Sequence, residues 1–525
     1  MVAHNARSRR PRRRRPPALL AVLAALALAA SLALSSCALP NPFALGRWLG
    51  GKGAWDEGEP AVGRADIRDE QGRVVVYHGL SIANTSKYRP GNLPWQGQAE
   101  LRRMRRDWGF NLVRLLVFWM AIEPAEGDYQ DQAGGYIEGV LDFIALCRDE
   151  GIDVVVDFHK DVYGSKFGDD GFPAWATEDD GLVFDPPPDS FWSDNYMEPA
   201  VRRAFRNFWN SPRLKGKYLA MAAKLLAAID AAGLGGAIAG VDAMNEPFPH
   251  ELDALGPNPW EAALNSGRDL ASVREFERNY LGPFYGSFAG MMESHNLPWR
   301  IWYEPWISTS AGIPSFLDWP ARPGDVYAPH FYYNPGTGEA STEGYPGALG
   351  RRYVQVAVAQ KAFEAKDHGS PMVLAEFGVD DRRDGSRRML SDLLSDLDRA
   401  GSGWCYYVYD KIGDSPYGVV NDDLSDRTAT LSILVRPYPM RIAGSRARWA
   451  IEGDSLVLDY EASGGAAPTE LWVPESLAGA GARLRVDGED RSDLLPADAA
   501  AWEAAAGIVA IGGGAAARRK VELSW

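Results

Sequence analysis

Short runs of apolar and β-branched residues recur from Val74 to about Asp410, separated by longer segments in which apolar positions return with a helical period. Eight of the short runs read as strands: VVVYHGLSIAN from Val74, NLVRLLVFW from Asn111, DVVVDFH from Asp153, IAGVDAMNEP from Ile238, RIWYEP from Arg300, DVYAPHFY from Asp325, PMVLAEFG from Pro371 and GWCYYVYD from Gly403. The intervening segments, such as GYIEGVLDFIALCRDEG and SRRMLSDLLSDLDRAG, read as helices, and several end in a glycine suited to a C-cap. Eight alternating units predict an α/β fold, a (β/α)8 TIM barrel. A doubly wound sheet is the alternative, but no G-x-G-x-x-G opens a helix after the first strand.

From about Leu431 the texture changes to short alternating runs, RPYPMRIAGS, SLVLDYEAS, TELWVPESL and RRKVELSW, separated by Gly, Ala and Pro. This predicts a small C-terminal all-β sandwich domain over 431–525, packed against a barrel spanning 60–430. A carbohydrate-binding module is the other reading of it. At the opposite end, seven arginines precede an apolar run from Ala18 to Leu34 and then the tetrapeptide LSSC. This is the pattern of a signal peptide over 1–37, with a tether over 38–59. The tetrapeptide resembles the lipobox of bacterial lipoproteins, which implies a diacylated Cys37 and an exported protein anchored to a membrane of the cell envelope. A conventional signal peptide giving a secreted protein is the alternative. An uncleaved membrane span fits less well, because about 17 apolar residues is the lower edge of what crosses a bilayer.

Composition narrows the partners. The chain has 525 residues, 46% of them hydrophobic, enough to bury one large core and a smaller one. Its formal charge of −15 moves to −22 once the arginine-rich leader, which carries no acidic residue, is removed. Such a surface repels phosphate backbones and makes nucleic acid an improbable partner. Only Cys147 and Cys405 remain beyond Cys37, too few and too distant for a disulfide framework, and both are expected as buried thiols.

Functional groups of a (β/α)8 barrel lie at the C-terminal ends of its strands, so polar residues that close apolar runs are the first candidates. Arg114 lies in the second run, His159 and Asp161 close the third, Asn245 and Glu246 the fourth, His330 and Tyr332 the sixth and Glu376 the seventh, while Trp404 lies in the eighth as a sugar-stacking or core aromatic. Carboxylates ending the fourth and seventh strands would face one another across the barrel mouth, as a retaining glycosidase needs, with one attacking the anomeric carbon while the other protonates the leaving oxygen. Asn245 beside Glu246 suits the general acid/base. An arginine such as Arg114 would keep Glu376 ionised as a nucleophile. Competing chemistries lack their signatures: there is no H-E-x-x-H or close cysteine pair for zinc, and no G-x-S-x-G elbow for an esterase. No metal and no cofactor is expected.

The triplet Asn245-Glu246-Pro247 with Glu376, Arg114, His159 and His330 resembles glycoside hydrolase family 5 from Val74 to about Asp410. Within that family the segments GLSIANTSKY with Lys87, FHKDVYG with Asp161, FPAWATEDDG, AMNEPF, IWYEPW, APHFYY and LAEFG look like those of the endoglycoceramidases, which also carry a β-rich domain after the barrel. The resemblance implies hydrolysis of the β-glycosidic bond between a glycan and a lipid aglycone, with a glycolipid or oligosaccharide substrate. It also implies sugar contacts from Lys87, Arg114, His159, Asp161, Asn245, His330, Tyr332 and Trp404. One position departs: Lys160 stands where those enzymes usually have glutamine. A cellulase-like β-glucanase is the alternative, and an inactive carbohydrate-binding lipoprotein a third reading. The stretch from Gly164 to Ala200 carries seven aromatic residues, among them Phe172, Trp175 and Phe191, and reads either as a lid or apolar groove beside the site or as a satellite core.

Overall fold

The computed structural model describes residues 65–187, 192–250, 274–319, 322–333, 342, 345–479 and 481–525. Signal peptide, tether, Cys37 and Phe191 lie outside the described residues. Eight parallel strands form one sheet: β2 His78–Ile82, β3 Leu112–Val117, β4 Asp153–Phe158, β5 Ile238–Asp242, β6 Ile301–Tyr303, β7 Val326–Tyr327, β8 Val373–Leu374 and β9 Gly403–Tyr406. Their order is β7-β6-β5-β4-β3-β2-β9-β8, and single bridges from Tyr327 to Met372 and from His330 to Glu376 join the two ends. The sheet is therefore a closed TIM barrel.

Every residue of β2, β3 and β5 is buried, which explains why these strands read as continuous apolar runs rather than as alternations. One face of each strand fills the lumen: Leu112, Val155, Ala239, Trp302, Val326, Val373 and Cys405 form a cluster of their own. The opposite face packs on the helices. Space inside is tight enough that a Cβ on Gly240 would collide with the Trp302 indole. A register shift between Val154 and Val155 pairs Ile238 and then Gly240 with consecutive β4 residues, so β5 holds one extra residue. Beyond that shift Asp242 stands in register with Asp157.

The β-rich tail forms two antiparallel sheets, in spatial order β1 Val74–Val75, β10 Tyr438–Ile442, β13 Thr469–Trp472 and β16 Ile508–Ile511 in one, and β11 Gly444–Ile451, β12 Ser455–Ala462, β17 Arg518–Ser524, β14 Arg483–Val486 and β15 Glu489–Asp490 in the other. One strand comes from elsewhere in the chain. The run beginning at Val74 divides, with β1 Val74–Val75 pairing with β10 Tyr438–Ile442 of the sandwich while His78–Ile82 enters the barrel. The joint between the two bodies is aromatic. His78 stacks on Trp404 at 4.2 Å and on Tyr438 at 3.8 Å. Trp404 is 0% exposed and faces away from the lumen, because its neighbour Cys405 takes the inward position. It is a core aromatic of the joint, which corrects the sugar-stacking expectation.

Of the aromatic stretch after β4, Phe167, Phe172 and Tyr196 are buried. The Phe172 ring lies 5.1 Å from Trp119, 5.0 Å from Phe208 and 5.6 Å from Tyr218, and Trp175 packs edge-on against Trp119. These residues form a satellite core and not the wall of an open groove. Trp192 is 44% exposed on the same stretch. Cys147 and Cys405 are buried free thiols, as expected.

Gly109 has φ +74°, its carbonyl accepts from the Tyr438 hydroxyl at 2.8 Å, and a Cβ there would run into the Trp472 ring of the sandwich. Gly109→Ala is expected to cost about 2 to 4 kcal/mol, from a left-handed alanine together with an overpacked contact. Denaturant unfolding followed by tryptophan fluorescence measures it, and an unchanged midpoint would refute this account of the joint.

Candidate active site

Strand ends bring one buried cation and a ring of carboxylates together. Arg114, on β3, is fully buried and sends Nη1 to Glu376 at 2.9 Å and to Asp157 at 3.2 Å. Its Nη2 donates to Asp242 and to the Asn245 side-chain oxygen, each at 2.9 Å, with Glu304 at 3.8 Å. These carboxylates come from β4, β5 and the residues just after β6 and β8, so only a closed barrel places them around one guanidinium. Their joint field holds the Arg114 proton well above its usual range, against the desolvation that opposes it.

Glu246 and Glu376 face each other. One carboxylate oxygen from each, with a ring nitrogen of His330, lie within 4.8 Å of one another. That fits the separation of about 5 to 5.5 Å found in retaining glycosidases and is too close for the inverting arrangement. The two surroundings differ. Glu376 accepts from Arg114 and, at 2.7 Å, from the Tyr332 hydroxyl. For Glu246, burial and the charge of Asp161 push the carboxyl up to about 7, although Lys160, His159 and Lys87 oppose this. His330, 3.1 Å from Glu246 and 3.2 Å from Glu304, is pushed down to about 3 by burial, so it is a neutral hydrogen-bonding partner rather than half of an ion pair.

Glu246 also has φ +42°. A non-glycine residue in the left-handed region costs about 1 to 3 kcal/mol and persists only where neighbours over-determine it. Here Asn245 is held from both sides, its oxygen by Arg114 and its Nδ2 by the Lys160 carbonyl at 3.0 Å, and Lys160 Nζ donates to the Glu246 carbonyl at 2.6 Å.

The remaining expected residues line one flank. Lys87, in the turn Asn84–Lys87 after β2, is paired with Asp161 and lies 3.8 Å from Asp170. His159 donates from Nδ1 to Asp157 at 2.7 Å, points Nε2 toward Asp161 at 3.7 Å, and is raised to about 9: its carboxylate partners outweigh the burial and the Lys87 charge that oppose protonation. Lys87, Arg114, His159, Asp161, Asn245, Glu246, His330, Tyr332 and Glu376 thus form one site, and Trp404 is the residue that lies away from it. Five members were not anticipated. Asp157, Asp242 and Glu304 interrupt or close apolar runs, a signal the sequence did carry. Asp170 sits in a loop without such a mark. Tyr407, on the lumen side of the residue pair after β9, hydrogen-bonds Asn84 at 2.5 Å and lies under the Lys87 ammonium at 5.5 Å. Three buried sets of acidic and histidine side chains, His159/Asp161/Asp170, Asp242/Glu304/His330 and Glu246/His330/Glu376, have the spacing of metal ligands. In each, Lys87 or Arg114 already lies within ion-pair distance of a member, which disfavours a second cation.

Comparison with known proteins points to glycoside hydrolases. Residues 69–210 match the family model described as cellulase (glycosyl hydrolase family 5). The chain is 26% identical to endoglycoceramidase I of Rhodococcus hoagii over 433 residues, 80% of each chain. Endo-glycoceramidase II from Rhodococcus sp., solved as a ganglioside GM3 complex, superposes with a TM-score of 0.73 at 26% identity, covering 88% of this chain and 99% of that one. An endogalactoceramidase shares the fold at 18% identity and a TM-score of 0.61. Barrel, glutamate pair and arginine define a glycoside hydrolase. Over residues 69–210 the chain is similar to glycoside hydrolase family 5, and over most of its length it is similar to the endoglycoceramidases.

Removing the central cation tests how the site is held. Arg114→Met leaves Asp157, Asp242 and Glu304 buried without their counter-charge and is expected to destabilise the fold by about 3 to 5 kcal/mol at neutral pH. The loss should shrink as pH falls and these carboxyls take up protons. Unfolding free energies measured across pH check this, and a loss that does not vary with pH would contradict it.

Proposed function

We propose that this protein hydrolyses the β-glycosidic bond between the glycan and the lipid of a glycosphingolipid, with retention of configuration, using Glu376 as nucleophile and Glu246 as general acid/base. The observation that carries the assignment is the contrast within the pair. Glu376 is held by a guanidinium and a hydroxyl, while Glu246, 4.8 Å or less away, is pushed up to about 7.

In the first step Glu376 attacks the anomeric carbon while Glu246 gives its proton to the departing glycosidic oxygen, breaking that bond and forming a glycosyl ester. In the second, Glu246 takes a proton from water, whose oxygen attacks the same carbon and releases Glu376. Two inversions restore the original configuration. Asn245, fixed by Arg114 and Lys160, is oriented to bind a hydroxyl next to the anomeric centre, and Tyr332 can follow charge as it leaves and returns to Glu376. Lys87, His159 and Asp161 offer charged and hydrogen-bonding groups for further sugar hydroxyls. The lipid substrate is supported by the endoglycoceramidase relatives, which match over the sandwich as well as the barrel. Export and anchoring through an acylated Cys37 fit such a substrate, since two acyl chains give stable attachment to a membrane.

Glu246→Gln is expected to slow glycosides with poor leaving groups by about 10²- to 10⁴-fold. Activated aryl glycosides should lose far less in the first step. In the wild type kcat/KM should fall as pH rises through about 7, because the acid is then deprotonated. Equal losses on both substrate types would make Glu246 structural.

Glycosylceramides in detergent micelles should release intact ceramide with a kcat/KM well above that for cello-oligosaccharides of similar length. Rapid cleavage of cello-oligosaccharides with no ceramide released would favour a glucanase. Mass spectrometry of membrane-extracted protein should find the N-terminus at a lipid-modified Cys37, and an unmodified N-terminus elsewhere would remove the anchor.

A further inference from the structure

Lys160 follows the barrel residue His159, is 1% exposed, and has no free reach into the mouth of the site. Its ammonium donates to the Glu246 carbonyl at 2.6 Å and to the Tyr196 hydroxyl at 3.2 Å, and lies 5.0 Å and 5.1 Å from the ring centroids of Tyr196 and Phe205. All four partners are neutral. Its own carbonyl accepts from Asn245 Nδ2, so residues 160 and 245–246 clasp each other in both directions. The start of the stem is closely packed, since a Cβ on Gly171 would strike the Lys160 Cβ. Tyr196 is anchored in turn, stacked on Phe248 at 4.7 Å.

We infer that Lys160 is a positioning residue for the acid/base: by holding the carbonyl of left-handed Glu246 and bracing it against Tyr196 of the loop after β4, it aims the Glu246 carboxyl at the glycosidic oxygen. This rests on the reading of Glu246 as acid/base. A glutamine, one bond shorter and uncharged, cannot make the same brace with the same charge, so the departure at this position changes how the acid is set. The charge has a second consequence. Glu246 is faced by Asp161 and Lys160 from the loop after β4, His159 at the end of β4, Lys87 after β2, Glu304 after β6, His330 after β7 and Glu376 after β8. Burial and Asp161 raise its carboxyl, and Lys160 is the largest of the influences that lower it. Removing a positive charge leaves the carboxylate less stabilised, so the acid should keep its proton to higher pH.

The test compares Lys160→Met, which removes donor and charge, and Lys160→Gln, which restores a neutral donor, with the wild type and Glu246→Gln. On a glycolipid with a poor leaving group Lys160→Met should lower kcat by about 10- to 100-fold, the order of loss from a misplaced catalytic group, with KM little changed. An activated aryl glycoside should lose much less. Both Lys160 variants should move the alkaline limb of kcat/KM to higher pH, and Lys160→Gln should recover part of kcat. Parallel losses on both substrates with an unmoved limb would overturn the inference and leave Lys160 a packing residue. Should Lys160→Met fail to fold, the limb of Lys160→Gln alone decides, since an unmoved limb there contradicts the charge effect. If Glu246→Gln itself shows no dependence on leaving group, the acid/base assignment has failed rather than the role of Lys160.

Discussion

The site depends on one guanidinium held inside a closed sheet. Arg114 sits with zero exposure among Asp157, Asp242, Glu304 and Glu376, carboxylates that belong to four different strands or strand ends. Removing so many charges from water is costly, and the cost is offset only where geometry and hydrogen bonds are good. A barrel supplies that geometry because its strands all point their ends at one axis. The same constraint makes the site rigid: the register shift in β5 sets Asp242, Asp242 helps set Arg114, and Arg114 sets both Asn245 and Glu376.

From that centre the two glutamates diverge. Both belong to buried surroundings, yet Glu376 faces the cation and a tyrosine hydroxyl, while Glu246 faces a neutral imidazole and a like charge. Two carboxyls less than 5 Å apart thus have different partners, the kind of contrast that separates acid from nucleophile. Lys87 and His159 keep the Asp161 carboxylate charged, and burial together with that charge pushes Glu246 up to about 7. The contrast between the two glutamates therefore follows from electrostatics that extend well beyond the pair.

Much of this was legible in the sequence. Eight apolar runs became eight barrel strands because a strand buried on both faces cannot hide its composition. Glu246 and Glu376 stood out because each ends such a run. Four features were less legible. Val74–Val75 belong to the sandwich, which no local pattern reveals, since one apolar run serves two sheets in succession. Trp404 faces outward, and the period of two places Cys405 and Tyr407 inward instead, so its aromatic character misled where its parity would not have. The aromatic stretch after β4 proved a satellite core around Phe172, because clustering of aromatics along the chain does not say whether they cover one another. Glu304 was within a recognised segment but was passed over beside the stronger signals at Glu246 and Glu376.

The central claim is that Glu376 forms a covalent bond to the sugar. A 2-deoxy-2-fluoro glycoside with a good leaving group forms the glycosyl ester faster than water can break it, because fluorine destabilises both cationic transition states while the leaving group restores only the first. Intact-mass spectrometry of the treated enzyme, followed by peptide sequencing, should find one added sugar, carried on Glu376 within the VLAEFG segment. A sugar carried on any other residue, or an active enzyme that accumulates no adduct, would contradict the account.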